Sequence, residues 1–569
     1  MTRAIVLLCL LAGCTETIEL GSGQLAGLVS LELRPPAAIA TVSDLSSGAA
    51  VEFTAIGRFV DGTRRDVTHL VEWSVDNPAP GAVKDGVYIT SNAAGGHALV
   101  RARARAGDTA LETSADVHVI ISLELVDGAF PPPAGAEMLF ADSNPVYDED
   151  ERVPQLLYPA HGTVFPQDLS RIVFQLGAAP PTDAFRWRLD SESLHLSVLT
   201  GSTRWQPDSA LWALIAATHP DGEAMLVVEA ASTTTPGEIY AAPQATIRFA
   251  RSGAGGILYH WSAATNGIVR STPASEAATA LYPQDPTRCG ACHAVSRDGR
   301  QMALGYDGEV LRTIDLETAA PILSTPARPM GWASFSPDGE RIVVADNGVL
   351  TLRDARTGAT IGPNLGRLPI PIKATHPDWS PDGRYVAMTL TNDATNMSVG
   401  GGAIGRIAWQ NGSWGALEYL VGGTATSNNY FPKYSPDSRF IAYVHADTAS
   451  EGAPRAELRL IEADGGGPIR LDAASRSIGF DEVLDEAANT MPSWAPDLDR
   501  DLAWLAFASA RPYGEILPMS GRSQIWVTAI DLSRAEQGVD PSSPAFWLPS
   551  QDVRVVNNNP VWAPRVQKD

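Results

Sequence analysis

Residues 333–346 read ASFSPDGERIVVAD, a hydrophobic segment followed by a Ser-Pro-Asp-Gly turn and an alternating strand. The same pattern recurs as AVSRDGRQMALGY (294–306), PDWSPDGRYVAMTL (377–390), PKYSPDSRFIAYVH (432–445), PSWAPDLDRDLAWLAFAS (492–509) and PVWAPR (560–565). The Ser or Ala before each turn stands at 296, 336, 380, 435, 495 and 563, so the copies lie 40, 44, 55, 60 and 68 residues apart. Copies of about 40 residues with growing insertions predict propeller blades rather than a solenoid.

The last copy, PVWAPR, ends after a single strand. We expect it to complete a blade begun by GILYHWSAATNGIVRSTP at 256–273, because this closure removes exposed sheet edges. The sequence thus predicts a six-bladed propeller over residues 255–569. These repeats resemble the TolB-type (WD40-like) propeller family over more than half of the chain, and that resemblance is informative about fold but not about function.

Two strand-rich blocks precede the repeats. Residues 25–122 resemble bacterial immunoglobulin-like domains, through Phe59, Asp61-Gly62-Thr63, Asp66-Val67-Thr68 and Trp73. A linker over 123–151 leads to 152–250, which resembles a fibronectin-type-III sandwich and contains FRWRLDS, SALWALIAA and EAMLVVEAA. Its Trp187, Trp205 and Trp212 are predicted to be core residues rather than a carbohydrate platform. The predicted class is therefore all-β.

The length, the net charge and the absence of common catalytic motifs narrow the classes of function that this chain can have. A chain of 569 residues is expected to contain roughly three or four domains. With 42 Lys and Arg against 65 Asp and Glu, the formal net charge is −23, which argues against a nucleic-acid partner. The sequence contains no Gly-x-Ser-x-Gly, P-loop or His-Glu-x-x-His motif. Asp298, Asp338, Asp382 and Asp437 are expected to form turns, and Asp497, Asp499 and Asp501 to be solvated turn carboxylates.

The N-terminus has the pattern of an export signal. Arg3 precedes an apolar run too short to span a bilayer, and Leu11-Ala12-Gly13-Cys14 follows it. This resembles the lipobox of bacterial lipoproteins, which implies a signal peptide over 1–13, a lipid-modified Cys14 and a tether over 14–24. The alternative is an ordinary secretory peptide with an incidental cysteine. Because Thr15 rather than Asp follows Cys14, the resemblance implies outer-membrane anchoring in the cell envelope.

Residues 289–293, Cys-Gly-Ala-Cys-His, match C-x-x-C-H, the attachment sequence of c-type haem. Two thiols at this spacing can reach the two vinyl groups of one porphyrin, and the adjacent imidazole can then bind the iron. We therefore expect one covalent haem c, held by Cys289 and Cys292, with His293 as proximal ligand. A redox-active C-x-x-C disulfide is the alternative, and zinc is disfavoured because no further ligand motif completes a tetrahedral site.

The repeat alignment predicts where the motif lies. His293 occupies the position of Ala333, Pro377, Pro432, Pro492 and Pro560, whereas Cys292 occupies that of Trp332, His376, Phe431, Met491 and Asn559. This position should ring one mouth of the propeller channel. We expect His376 and Met491 to come from blades that face or flank the motif. Met491 is the first candidate for a distal iron ligand, His376 the second and Met330 the third; an open sixth position is the alternative.

Three functions agree with these features. The first is electron transfer by a lipid-anchored envelope protein, with other redox or envelope proteins as partners. The second is a non-catalytic propeller scaffold that binds proteins, and the third is a haem sensor or peroxidase-like enzyme with an open iron site. Haem content separates the scaffold from the other two, and ligand binding to reduced iron separates the sensor or enzyme from the electron carrier.

Overall fold

The computed structural model describes residues 24–106, 109–141, 146, 152–178, 182–281, 290–306, 310–323, 330–362, 366–394, 398–450, 453–477, 487–518 and 521–565. The signal segment with Cys14, the acidic part of the linker and Cys289 lie outside the described residues. Contacts divide the chain into two compact units, one up to Leu123 and one from Glu124. Strands dominate both units, which confirms the all-β class.

Among its described residues, the first unit contains ten strands and one short 3-10 helix, Thr68–Leu70. The strands are β1 (Leu28–Arg34), β2 (Ala37–Val42), β3 (Ala50–Glu52), β4 (Thr54–Phe59), β5 (Arg64–Asp66), β6 (Glu72–Val75), β7 (Gly81–Lys84), β8 (Val87–Thr90), β9 (Gly96–Ala106) and β10 (Thr109–Val126). They pair in the orders β1-β4-β5, β3-β8-β7 and β10-β9-β6, and β2 lies parallel to β10. Phe53, Phe59, Tyr88 and Val117 are buried in its core.

The second unit begins with helix α1 (Ala136–Leu139) and a sandwich. Its strands are β11 (Gln155–Tyr158), β12 (Val164–Phe165), β13 (Phe174–Gly177), β14 (Ala184–Asp190), β15 (Leu194–Thr200), β16 (Arg204–Trp205), β17 (Glu223–Ala231), β18 (Ile239–Ala241) and β19 (Ala245–Phe249). One sheet has the order β12-β19-β17-β14-β15, with β18 paired to β17, and the other has the order β11-β13-β16. Trp187, Trp205 and Trp212 are buried, so the prediction that they are core residues is confirmed.

One segment of this sandwich differs from the expectation. SALWALIAA, which the strand-rich pattern placed among the strands, forms helix α2 (Ser209–Thr218). The Asp208 side chain caps the helix by accepting a hydrogen bond of 2.8 Å from the Leu211 backbone N–H. Ala and Leu at most positions favour a helix, and the N-cap fixes where it starts.

Six four- or three-stranded sheets among the described residues form the propeller. Blade 1 contains β20 (Ile257–Ser262), β21 (Gly267–Ser271) and β22 (Thr279–Ala280); blade 2 contains β23 (Gly290–Val295), β24 (Gln301–Tyr306) and β25 (Val310–Asp315); blade 3 contains β26 (Trp332–Phe335), β27 (Arg341–Asp346) and β28 (Val349–Asp354). Blade 4 contains β29 (Lys373–Trp379) and β30 (Tyr385–Thr391), then, after the two-stranded pair β31 (Asp393–Ala394) and β32 (Val399–Gly400), β33 (Ala403–Gln410) and β34 (Ser413–Val421).

Blade 5 contains β35 (Asn428–Tyr434), β36 (Phe440–Ala446), β37 (Glu457–Glu462) and β38 (Ile469–Arg470), followed by helix α3 (Asp472–Ser475). Blade 6 contains β39 (Thr490–Trp494), β40 (Leu502–Ser509), β41 (Gln524–Asp531) and β42 (Phe546–Trp547), with helix α4 (Leu532–Glu536) after β41. In the described part of the chain, no helix has the length and apolar character needed to cross a membrane.

The final strand, β43 (Asn557–Ala563), closes the ring. It pairs antiparallel with β20, and Ile257 lies opposite Ala563 while Tyr259 lies opposite Val561. The inner strands of consecutive blades contact each other in sequence order, and β23 contacts β43. The described sheets therefore confirm both the count of six blades and the closure predicted from PVWAPR.

Candidate functional site

A β-bulge recurs on the innermost strands of five blades. The pairing register shifts at this point in β23, β29, β35, β39 and the β20–β43 pair. In each case a non-glycine residue adopts a positive φ: Cys292 at 48°, His376 at 49°, Phe431 at 53°, Met491 at 53° and Asn559 at 50°. Positive φ is uncommon for such residues, and bulges redirect side chains. The repeat alignment that equated these positions with Cys292 is therefore confirmed.

Aromatic side chains from three successive blades meet at this level of the propeller. The rings of His376 and Phe431 stack with their centroids 3.8 Å apart. Trp332, which holds the equivalent position in blade 3, lies edge-on to both rings at 5.1 Å and 4.9 Å. The equivalent residues of blades 3, 4 and 5 thus form one packed aromatic cluster.

The C-x-x-C-H motif enters blade 2 on its innermost strand, β23. Cys292 is 6% exposed and His293 is 4% exposed. The Nδ1 atom of His293 lies 3.2 Å from Nδ2 of Asn559, on the inner strand of the adjacent blade 1. The Nε2 atom of His293 is buried and makes no hydrogen bond of good geometry with a described residue, although the Tyr259 backbone lies close to the ring. Buried ring nitrogens nearly always have a bonding partner, so an unbonded one indicates that a ligand can bind there.

The surroundings of His293 determine its charge. Burial lowers the pKa of His293 to about 3, while a hydrogen bond to the Tyr259 backbone acts in the opposite direction and the nearby His260 and Lys433 lower it further. The ring is therefore a neutral imidazole near neutral pH, which is the form that binds metals. A neutral imidazole with an unbonded nitrogen, directly after a buried cysteine, fits the donor set that a c-type haem requires.

The predicted distal ligands have different surroundings. His376 is buried, and its Nδ1 lies 3.2 Å from the Thr389 hydroxyl; burial, followed by Lys433, holds its pKa well below the usual range. Met491 is half-buried on β39, whereas Met330 is fully buried just before β26. In a ring of six consecutive blades, blade 5 faces blade 2. Phe431 of blade 5 therefore holds the position that faces the motif. His376 lies on blade 4 and Met491 on blade 6, and neither blade faces or flanks blade 2, so the expectation that these two residues lie on facing or flanking blades is wrong.

The residue two positions before each turn Ser or Ala also lines the channel. Where this residue is Ser or Asp, its side chain accepts a hydrogen bond from the backbone of the next blade. The Trp379 backbone N–H donates to Ser334 Oγ at 2.9 Å, and the Trp562 backbone N–H donates to Ser493 Oγ at 2.9 Å. In the same way, the Tyr434 backbone N–H of blade 5 donates to Asp378 Oδ2 of blade 4 at 2.8 Å. The sequence analysis did not predict these hydrogen bonds between blades, although Ser334, Asp378 and Ser493 stand at the same spacing before their turns.

Asp378 is also the centre of a charged group in the channel. Its carboxylate lies 3.2 Å from the Lys433 ammonium and 3.6 Å from the Arg297 guanidinium. Together with His293, these side chains line a cavity of about 230 Å³ to which the inner strands of all six blades contribute. Ligand pockets for drug-sized molecules usually measure about 300–1,000 Å³, so this cavity is too small to enclose a porphyrin.

The turn aspartates behave as predicted. The backbone N–H groups of Arg300, Glu340, Arg384 and Arg439 donate to Asp298, Asp338, Asp382 and Asp437 at 3.0–3.1 Å. The serine of each turn also donates its hydroxyl to the same aspartate. Of the other turn carboxylates, Asp497 and Asp501 are exposed, and Asp499 accepts a hydrogen bond of 2.8 Å from the Ser252 hydroxyl. These carboxylates have structural roles in turns.

Comparison with known proteins adds fold likeness only. No family model matches the sequence, and the search of curated proteins found no significant match. Among solved structures, TolB from Acinetobacter baumannii is 16% identical, with a TM-score of 0.36 over 60% of this chain and 80% of that chain. The dihydro-heme d1 dehydrogenase NirN in complex with DHE is 14% identical, with a TM-score of 0.31 over 52% of this chain and 54% of that chain. The Cps50 (Swd1) β-propeller domain is 11% identical, with a TM-score of 0.28 over 43% of this chain and 83% of that chain.

Proposed function

We propose that this propeller carries one covalent c-type haem and works as an electron-transfer protein of the bacterial cell envelope. The observation that carries the proposal is the buried, neutral His293, whose Nε2 makes no hydrogen bond of good geometry in the described part of the chain, next to buried Cys292 within C-x-x-C-H. Cys289 and Cys292 would hold the haem, and His293 would bind its iron. When bound, such a group supplies one-electron chemistry.

The protein's own residues orient the proposed iron ligand. The bulge at Cys292 disrupts the alternation of side chains along β23, so that Cys292 and His293 are presented differently from a regular strand. Asn559 contacts Nδ1 of His293 and fixes the ring. For Nε2 to bind iron the ring proton must lie on Nδ1, so the Asn559 amide would turn its Oδ1 to that position and accept the hydrogen bond. Because the cavity on the propeller axis is too small for a porphyrin, we propose that the haem lies at the channel mouth rather than in the lumen.

The distal ligand and the location belong to the same proposal. Met491 remains the first candidate for the distal position, because His376 is already stacked on Phe431 and bonded to Thr389. We propose that residues 1–13 direct export, that Cys14 carries lipid and that redox or other envelope proteins are the partners. The acidic net charge of −23 favours partners with basic surfaces over polyanions.

A visible spectrum of protein matured with a c-type haem attachment system tests the proposal. We expect a haem absorbance that stays with the polypeptide after denaturation, and its loss in the Cys289→Ser, Cys292→Ser double variant. Cys14→Ala is the matched control, since it also removes a cysteine but should keep the haem. Wild-type protein that is matured, folded and colourless would contradict the proposal and favour the protein-binding scaffold.

A further inference from the structure

A second cavity, of about 500 Å³, lies between the sandwich and blades 1 and 6 of the propeller. Its wall is mostly apolar and aromatic, and includes Ile172, Val269, Tyr513, Ile516 and Trp547. This volume is within the range of about 300–1,000 Å³ typical of small-molecule pockets. Of the described motif residues, neither Cys292 nor His293 lines it.

The cavity wall is held in place by packing between the sandwich and the propeller. The rings of Tyr513 and Trp547 stack at 4.7 Å, and Tyr158 of the sandwich contacts Tyr513 edge-on at 4.9 Å. The Trp547 backbone N–H donates to the Tyr158 hydroxyl at 3.1 Å, and the Arg171 guanidinium donates to the Pro549 carbonyl at 2.9 Å. These contacts form the aromatic wall without any ligand.

Two buried polar side chains on this wall have unused hydrogen-bonding atoms. His260, on β20, is completely buried; the Asn557 side chain lies near enough to act as a hydrogen-bond partner, and no other described residue bonds its ring nitrogens. Asn557, on β43, is 1% exposed; its Nδ2 donates to the carbonyls of Asp552 and Val555, and among the described residues its Oδ1 has no partner other than the His260 ring. Buried polar atoms are nearly always bonded, and a contact with Asn557 uses only one ring nitrogen of His260, so the other ring nitrogen is open to a ligand or water.

The charge state of these atoms indicates which hydrogen-bonding groups a ligand of this cavity should carry. Burial lowers the pKa of His260 to about 4, although Asn557 opposes the shift, so the ring is neutral near neutral pH and offers one donor and one acceptor. Of the charged side chains on the wall, Arg554 is paired with Asp552 at 2.9 Å, Arg171 donates to the Pro549 carbonyl, and Glu276 is exposed. A charged ligand would have no counter-ion at His260, whereas a hydroxyl group can both donate to and accept from the neutral ring.

We infer that this cavity binds a small, uncharged, mainly apolar molecule with a hydroxyl group, and that His260 and Asn557 bind that hydroxyl. The aromatic wall would contact the ring or chain of the ligand. This inference does not depend on haem at the C-x-x-C-H motif, because the two sites have separate lining residues. It assigns His260 a ligand-binding role in addition to its place in the blade 1 core.

Calorimetric titration of the full-length protein with phenol and with benzene tests the inference. We expect phenol to bind wild type at least ten-fold more tightly than benzene, because only phenol can bond His260; ten-fold corresponds to about 1.4 kcal/mol. In His260→Phe the two affinities should become equal. In Ala277→Trp, a change at an exposed residue of the cavity rim, binding of both probes should be lost.

A second measurement keeps the test decisive if His260→Phe does not fold. Phenol should shift the ring ¹⁵N signals of one histidine in wild type labelled at histidine, and Ala277→Trp should abolish the shift. Wild type that binds phenol and benzene equally, or neither, would overturn the inference and indicate that only water occupies the cavity. Undiminished phenol binding by folded Ala277→Trp would also overturn it, because the phenol would then bind elsewhere.

Discussion

Nδ2 of Asn559 lies 3.2 Å from Nδ1 of His293, so the last strand of the chain supports the histidine of the C-x-x-C-H motif. The two residues belong to adjacent blades, and both occupy or follow the bulge position of an inner strand. Asn559 has a φ of 50°, a conformation that asparagine tolerates better than most residues. Its side chain therefore combines a backbone requirement with the positioning of His293.

Removal of the Asn559 side chain should destabilise the propeller. We expect Asn559→Gly to lower the free energy of unfolding by about 1–3 kcal/mol, because glycine keeps the positive φ while the buried Nδ1 loses its partner. Chemical denaturation of haem-free protein measures the change. Asn266→Gly is the matched control, since Asn266 also has a positive φ, 48°, but is exposed in a turn of blade 1. Equal effects of the two changes would rule out a role for the Asn559–His293 contact.

Substitution of Met491 should open the iron to external ligands. A thioether ligand favours reduced iron, so Met491→Ala should let carbon monoxide bind the reduced haem and should remove any long-wavelength sulfur-to-iron band from the oxidised spectrum. His376→Ala should change neither feature, because His376 is held by Phe431 and Thr389. If His376→Ala alone opens the site, the haem has two histidine ligands. If wild type already binds carbon monoxide, neither residue is a ligand and a sensor or enzyme is favoured.

Lipid attachment at Cys14 should determine where the protein fractionates. Wild type should sediment with the outer membrane, and Cys14→Ala should appear in the periplasm or medium. Metabolic labelling with a fatty acid checks the same residue directly, since only wild type should incorporate the label. Identical fractionation of the two proteins would contradict the lipid anchor and favour an ordinary secretory signal.

Loss of the Asp378 carboxylate should destabilise the propeller more than loss of an equivalent serine hydroxyl. Asp378→Ala leaves the Tyr434 backbone N–H, Lys433 and Arg297 without their shared acceptor, and we expect a cost of about 2–3 kcal/mol. Ser334→Ala removes the same bond between blades 3 and 4 without a charge, and should cost about 1 kcal/mol. Urea unfolding of both variants tests the order; a larger cost for Ser334→Ala would contradict it.

Acid should destabilise the protein partly through His260. Its pKa is about 4 in the folded chain, against an ordinary value of 6.5, so the unfolded chain binds more protons between these values. The stabilisation is complete above about pH 6.5 and falls as the pH drops towards 4, by about 1.4 kcal/mol per pH unit. His260→Phe should therefore lose less stability than wild type between pH 7 and pH 5. Parallel pH profiles for the two proteins would show that His260 does not contribute.

The sequence predicted the propeller well because its repeat is local. The turn serine and aspartate bond within five residues of each other, so each copy carries its own signal, and Ser336 with Asp338 is one example. The blade count and the closure by β43 followed from counting copies. The repeat alignment also placed Cys292 in one column with His376, Phe431, Met491 and Asn559, but it did not predict the bulge that these residues share.

Features that depend on contacts between distant segments were not predicted. Helix α2 was assigned to a strand-rich block because its alanines and leucines do not show a helical period strongly. The contact of Asn559 with His293 spans 266 residues, and no local pattern marks it. The position of Phe431 opposite blade 2 became visible only once the blades were arranged in a ring. His260 was overlooked because a lone histidine in a strand gives no sign of the cavity beside it.

Closure of the ring by β43 also determines when, during synthesis and export, the C-x-x-C-H motif becomes buried. If the chain is exported as proposed, its N-terminus emerges first, so Cys292 and His293 leave the exporting machinery more than 250 residues ahead of Asn559. Until that asparagine arrives, blade 1 lacks its innermost strand and His293 lacks its neighbour on β43. We expect an enzyme that modifies the motif to act during this interval, because Cys292 and His293 are buried once the final seven-residue strand is in place.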